Sequence, residues 1–285
     1  MIDRIAFIAT VILLSASCLG KQAEDEVLPA SYVQKVDSTP DLMQTDPTLG
    51  LLEGGVLSCA SVAATNGFAW LADHGFENML LRGEDGSVSY ARTAQAMDRV
   101  LQLATNRGAL PPSFLRGVAR YLSERGYTDE DYRLEFQGRS HPEGLQGTRI
   151  PNIDAVKKGV VRDGAAWLFV GFYRFDERED EYQTISYHYV SLVGYGVDEY
   201  GNEDPNVLIL HDPAPRSGPG VSHDYVHIEQ IEHGRITVPL NSQSAPADSE
   251  VLVDASGYYK LGDGLAYNDK ADIAILVGAI LLEMK

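Results

Sequence analysis

The sequence predicts an α+β fold in which helices come first and a sheet follows. Three segments with helical apolar spacing lie between residues 59 and 126, and runs typical of strands begin near residue 166. A continuous apolar run closes the chain at 273–282. Because helices and strands do not alternate, this order favours helices segregated from the sheet, in a domain with two lobes.

The helices are predicted from apolar residues that recur on one face. The first begins at Cys59 and ends near residue 74, where a His-Gly pair is a stop signal. The second covers about 89–107, and the third follows a Pro-Pro pair and covers 113–126. A short fourth helix is predicted over 152–162.

The strands are predicted from apolar runs bounded by turn residues. The run at 166–173 is continuous, which is typical of a buried strand. The other predicted strands are 187–195, 207–210, 225–231, 236–240 and 251–253. The final run, 273–282, is too short to cross a membrane and is followed at once by charged residues, so it too is interpreted as a buried strand.

Composition excludes several classes of function. The 285-residue chain has 23 Lys and Arg against 41 Asp and Glu, a net charge of −18. This charge argues against a nucleic-acid partner, which requires basic surface, and against attraction to anionic lipids. The chain has only two cysteines, so it is not a disulfide scaffold.

The first 18 residues are typical of an export signal. A start with one arginine precedes an apolar run that is too short to span a membrane. The end of this segment, Ser15-Ala-Ser-Cys18, resembles the lipobox of bacterial lipoproteins, which implies lipid attachment at Cys18; conventional cleavage after Ser17 is the alternative. We therefore predict export to the periplasm or cell surface, with membrane contact only through a lipid on Cys18. A linker is predicted over 19–46 and the folded domain over 47–285.

Cys59 is the first candidate for a catalytic residue. Ser58 is a good N-cap for the helix that follows, because its oxygen can accept from the N–H groups of the first turn. A thiol at a helix N-terminus loses its proton more easily, and the thiolate is the nucleophile. The alternative is a buried cysteine that packs as a small apolar residue.

His188 and Asp212 are the candidate partners of this thiol. His188 opens an apolar strand, and Asp212 follows the next apolar run. If the two strands are neighbours, the carboxylate can fix the imidazole tautomer and leave the other ring nitrogen for the thiol proton. The alternatives are a core histidine with satisfied hydrogen bonds and an Asp-Pro turn.

Together these residues resemble a known family. Ser58-Cys59 at a helix start, His188 in His-Tyr-Val-Ser-Leu-Val-Gly-Tyr and Asp212 in Leu-His-Asp-Pro are similar to the three motifs of the bacteriocin-leader (double-glycine) peptidases, family 39 of the cysteine peptidases. The spacing of Cys59 and His188 is also close to the ~130–150 residues of papain-like enzymes. The resemblance covers about residues 46–240.

The resemblance implies both a fold and a chemistry. The fold would be that of papain-like cysteine peptidases: a helical N-terminal lobe, an antiparallel β-sheet C-terminal lobe and the site in the cleft between them. Cys59 would be the nucleophile, His188 the general base and acid, and Asp212 the residue that orients it. The reaction would be cleavage of a peptide or amide bond through a thioester, on a peptide or protein substrate.

Neither a metal nor an organic cofactor is expected. The resemblance implies none. His223, His227 and His233 share one stretch with acidic residues, but no cysteine or tight pair of ligands accompanies them.

Two departures from the family motifs leave other functions open. Glu53 stands where relatives have a glutamine that helps to bind the oxyanion, and the nearest preceding glutamine is Gln44. Ala60 follows the cysteine where relatives have glycine. A catalytically inactive binding protein at the cell envelope is therefore one alternative, and a transglutaminase-like acyl transferase with the same triad is another.

Overall fold

A computed structural model describes residues 27–101, 108–139, 150–161, 163–215, 223–239, 250–262, 265 and 270–285. The predicted export signal and Cys18 lie outside these residues. None of the helices described here is long and apolar enough to cross a membrane.

The described residues form four α-helices and nine β-strands. The helices are α1 (Cys59–Asp73), α2 (Tyr90–Leu101), α3 (Pro111–Glu124) and α4 (Ile153–Lys158). The strands are β1 (Tyr132–Gly138), β2 (Gly164–Asp176), β3 (Glu181–Val197), β4 (Glu203–His211), β5 (Asp224–Gln230), β6 (Arg235–Pro239), β7 (Glu250–Asp254), β8 (Tyr259–Leu261) and β9 (Ile273–Met284).

Six of the strands close into an antiparallel barrel. Going round it, β2 pairs with β3, β3 with β4, β4 with β5, β5 with β8, β8 with β9, and β9 returns to β2. The other three strands extend this sheet: β1 pairs with β9, β6 pairs in parallel with the start of β3, and β7 pairs with β6. Apolar side chains such as Leu168, Val190 and Leu208 form one of the buried clusters of the barrel strands.

The expectation of an α+β, papain-like fold with two lobes is therefore wrong. The described part of the protein is mostly β, with a closed six-stranded barrel and four short helices. The helices do not build a lobe of their own, since α1 and α3 share one core with side chains of β2 and β3. Helix-first order along the chain does not show that the last strand will pair with β2 and close the sheet.

Helix α1 is fixed to the barrel by buried polar contacts. The Trp167 indole of β2 and the Ser191 hydroxyl of β3 both donate to the carbonyl of Ala63, at 2.9 and 3.0 Å. The ring of Phe68 lies edge-on to Trp167, at 5.7 Å between centroids. The N-terminus of α1 is thereby held at a defined place relative to β3.

Residues 27–46, which we call the amino-terminal strap, lie against the barrel. They belong to the segment that the sequence predicts as a linker. Tyr32 and Val36 are buried, and Tyr32 exchanges two backbone hydrogen bonds of 2.9 Å with Tyr195. Gly194 has no room for a side chain here, since an added Cβ would lie 2.7 Å from the Tyr32 carbonyl oxygen. Tyr32 and Val36 of the strap are thus used for packing, whereas Val27 and Val33 are exposed.

Lys35 is the most unusual residue of the strap. It is 3% exposed, its ammonium group donates to the carbonyl of Gly164, and it lies 3.8 Å from the ring centroid of Trp70. Burial lowers the pKa of Lys35 from 10.5 to about 7, although the charge of Asp163 acts in the opposite direction. An unfolded chain therefore holds this proton more tightly than the folded protein does.

Lys35 is expected to make stability rise with pH. Between pH 7 and 10 the unfolded state keeps the lysine proton that the folded state has lost. The free energy of unfolding of the wild type, relative to Lys35→Met, should therefore increase by up to about 1.4 kcal/mol per pH unit. Urea unfolding across this range measures it. The exposed Lys158→Met variant is the control and should show no such trend; a constant difference for Lys35→Met would contradict the prediction.

Candidate active site

The site is built where β3 and β4 meet. Ser191 pairs with His211 in the antiparallel register, so His188 and Asp212 lie at diagonal positions on the same face. His188 Nε2 is 2.6 Å from Asp212 Oδ1, and both side chains are buried. The same carboxylate oxygen accepts from the Ala214 N–H at 2.8 Å. The Asp-Pro sequence thus forms a turn, and its aspartate also meets the histidine.

Cys59 is the first residue of α1 and is half-buried. It lies near His188, since Cys59 is among the groups that raise the pKa of that imidazole. Since Nε2 contacts Asp212, Nδ1 is the ring nitrogen left for the thiol. The three residues singled out in the sequence therefore come together in the order thiol, imidazole and carboxylate.

The electrostatics of His188 favour an imidazolium. Burial acts to lower the pKa of His188, but the charge and hydrogen bond of Asp212, with those of Cys59, outweigh it and raise the pKa from 6.5 to about 10. The ring of Phe172 lies nearly parallel to it at 6.2 Å between centroids. At neutral pH this histidine carries a proton that it can donate.

Ser58 occupies the predicted cap position but does not cap the helix. Among the described residues its side chain accepts no hydrogen bond from the first turn of α1. Its hydroxyl instead donates to Asp98 Oδ2 at 3.1 Å. The expected serine cap is thus absent because a buried carboxylate of α2 competes for the hydroxyl. Among the described residues, no side chain accepts from the first-turn N–H groups of α1.

Glu53 does not occupy a buried oxyanion position. It lies exposed in the short turn before α1, with left-handed backbone angles of φ 50° and ψ 32°. Such a conformation is uncommon for a residue other than glycine. The Glu53 side chain, which stands in the sequence where relatives have the oxyanion glutamine, therefore lies on the surface of the turn.

Gln44 lies next to the site, although it is distant from Cys59 in the sequence. It is buried, and its backbone N–H donates to the carbonyl of Pro213, next to Asp212, at 2.8 Å. Its amide Nε2 donates to the carbonyl of Val56, three residues before Cys59, at 3.0 Å. The strap thus carries this glutamine to the turn that leads into Cys59.

The contact of Gln44 with that turn depends on a glycine. Gly55 has a left-handed φ of 80°, and an added Cβ would lie 1.7 Å from the Gln44 carbonyl oxygen. The two backbones therefore touch directly. The signal in the sequence was the Gly54-Gly55 pair, which marks a close approach of backbone, but it does not say which distant segment approaches.

Two of the remaining histidines meet, since His211 Nε2 lies 2.9 Å from His223 Nδ1. In the described part of the chain, no group of three or more His, Cys, Asp or Glu residues could hold a metal ion. Three histidines instead contact separate carboxylates: His223 with Asp37 at 3.3 Å, His227 with Asp204 at 3.6 Å and His233 with Asp180 at 3.1 Å.

Comparison with known proteins adds no relative. No protein-family model matches the chain, and a search of the curated proteins finds no match either. Functional inference therefore depends on the geometry of the site.

Proposed function

We propose that the protein is a cysteine-dependent hydrolase that cleaves a peptide or amide bond. The observation that carries the proposal is the 2.6 Å contact of His188 with Asp212 beside a cysteine at a helix start. A thiol, a base and a group that orients the base are the three parts that nucleophilic catalysis requires. The motif resemblance to bacteriocin-leader peptidases makes a peptide the first substrate to test.

The proposed reaction uses the groups of the site in turn. The Cys59 thiolate attacks the substrate carbonyl carbon, and the carbonyl electron pair moves to oxygen. His188 then gives its Nδ1 proton to the leaving nitrogen, the C–N bond breaks, and a thioester remains on Cys59. A water molecule then gives a proton to the neutral imidazole while the water oxygen attacks the thioester carbon. The C–S bond breaks, the acid is released and the Cys59 thiolate returns. Asp212 holds the ring throughout and stabilises its positive charge.

The experiment is turnover of a panel of fluorogenic peptidyl amides by the full-length chain. We expect amine release together with a hydroxylamine-labile acyl group on Cys59, detected by mass spectrometry. Adding a primary amine separates hydrolysis from acyl transfer, since a transferase would give the amide of that amine. Turnover that persists in Cys59→Ala would contradict the proposal.

Gln44 is proposed to supply a side-chain donor for the oxyanion. Among the described residues only the Val56 carbonyl accepts from its Nε2, which carries two hydrogens. The second hydrogen is then available to a substrate held at Cys59. Loss of one oxyanion donor typically lowers the rate by ~10²–10³-fold.

Gln44→Ala is therefore expected to lower kcat by about 10²-fold or more, with a smaller change in KM. Steady-state kinetics on the best peptidyl amide measures the effect. Gln34→Ala is the matched control, because Gln34 is an exposed glutamine of the same strap and its loss should leave kcat unchanged. Equal kinetics for the two variants would remove Gln44 from the mechanism.

A further inference from the structure

Asp98 contacts the residue that directly precedes the nucleophile. It lies on α2, is 2% exposed, and accepts from the Ser58 hydroxyl. Burial raises the pKa of this carboxyl, while Ser61, Ser58 and the backbone N–H of Leu52 act in the opposite direction. This buried carboxyl thus contacts the serine that directly precedes Cys59.

The hydroxyl of Ser58 has two competing partners. A serine at the cap position normally accepts from the N–H of the second or third helical residue, which here are Ala60 and Ser61. The backbone of Ser58 lies at φ −95° and ψ 16°, outside the extended region that caps adopt. Its hydroxyl points to Asp98 at 3.1 Å instead.

We propose that Asp98 is a positioning residue that keeps the Ser58 hydroxyl off helix α1 and so leaves the first-turn N–H groups for the substrate oxyanion. Oxyanion donors stabilise the transition state only when they are free to do so. A Ser58 that turned to cap the helix would accept from the same N–H groups. Its oxygen would also lie close to the place where the negative charge develops. This inference rests on the proposed function.

This competition predicts how kcat should change in two single variants and in the double variant. Asp98→Ala releases Ser58 to cap the helix and should lower kcat by about 10- to 100-fold, with KM little changed. Ser58→Ala removes the cap altogether and should turn over close to the wild-type rate. The double variant should recover most of the kcat lost in Asp98→Ala. If Asp98 served only to support the fold, the double variant would be at least as impaired as Asp98→Ala.

Amide exchange of Ala60 and Ser61, followed by NMR, tests the same idea without turnover. In Asp98→Ala the new cap should slow their exchange by roughly five- to tenfold, whereas Ser58→Ala and the double variant should exchange like the wild type. If the wild type turns over none of the amides, the proposed function fails but the exchange data still decide the role of Asp98. Unchanged or faster exchange in Asp98→Ala overturns the inference.

Two variants, Asp98→Asn and Ser58→Ala, keep the test decisive if Asp98→Ala does not fold. Asp98→Asn retains an oxygen that can accept from Ser58, so it should show wild-type exchange and nearly wild-type kcat. Ser58→Ala removes only a hydroxyl and is decisive by itself. A large loss of kcat in Ser58→Ala would mean that the bond from Ser58 to Asp98 is itself required, which contradicts the proposal.

Discussion

Replacing Cys59 by alanine is expected to lower turnover by about 10⁵-fold or more, because no other group can form the thioester. The side chain is half-buried at the start of α1, so its loss should cost about 1 kcal/mol of stability or less. Steady-state kinetics with thermal unfolding of the same samples separates the two effects. Loss of activity with an unfolding temperature that falls by no more than about 4 °C is the expected result.

Alkylation provides the control for this variant. In a Cys18→Ser background the chain has one thiol, so iodoacetamide labelling reports Cys59 alone. In the proposed triad His188 holds the proton of the thiol while Cys59 reacts, and labelling at pH 6.5 should therefore slow sharply in His188→Ala. Labelling that is equally slow in both, and rapid only in denaturant, would support a buried core cysteine and contradict the triad.

The elements that carry the candidate site residues could be predicted because their signals are local. A serine before an apolar helical stretch marks the helix start at Cys59, and the structure begins α1 there. Neighbouring apolar runs predict adjacent strands, and β3 and β4 do pair. The final strand was predicted as well, and β9 covers Ile273–Met284. Each of these inferences depends on a few adjacent residues.

The barrel could not be predicted from such signals. Its closure depends on the pairing of β9 with β2 and β8, and apolar periodicity does not say which distant strands pair. Two strands were also missed. In β1 the pattern is interrupted by Arg133 and Glu135, which form an ion pair of 2.7 Å, and β8 has only three residues.

The detailed contacts of the site could not be predicted from local signals either. Gln44 is distant from Cys59 in sequence, and only the packing of the strap against the barrel brings it to Val56. Ser58 was predicted as a cap because the rule considers only the helix that follows. The carboxylate that takes its hydroxyl belongs to α2. Long-range contacts thus decide the role of both residues. Ser58 has a clear local signal for a cap but does not cap the helix, and Gln44 has no local signal that places it near Cys59.

Removing Asp212 is expected to have the second largest effect. Asp212→Ala leaves His188 without its orienting partner and should lower kcat by about 10³- to 10⁴-fold. Asp212→Asn should lose much less, about tenfold, for a reason specific to this site. The Ala214 N–H donates to the same oxygen as His188 Nε2, so an asparagine would keep its carbonyl oxygen there and still accept from the ring.

The pH profile separates orientation from charge. Without the carboxylate charge the pKa of His188 falls from about 10, so the imidazolium is lost at lower pH and the alkaline limb of the rate profile should move down in both variants. Asp204 is the matched control, as it faces His227 at 3.6 Å outside the site, and Asp204→Ala should keep the wild-type profile. A similar loss of kcat in Asp212→Asn and Asp212→Ala would contradict the orienting role, because asparagine keeps the hydrogen bond and removes only the charge.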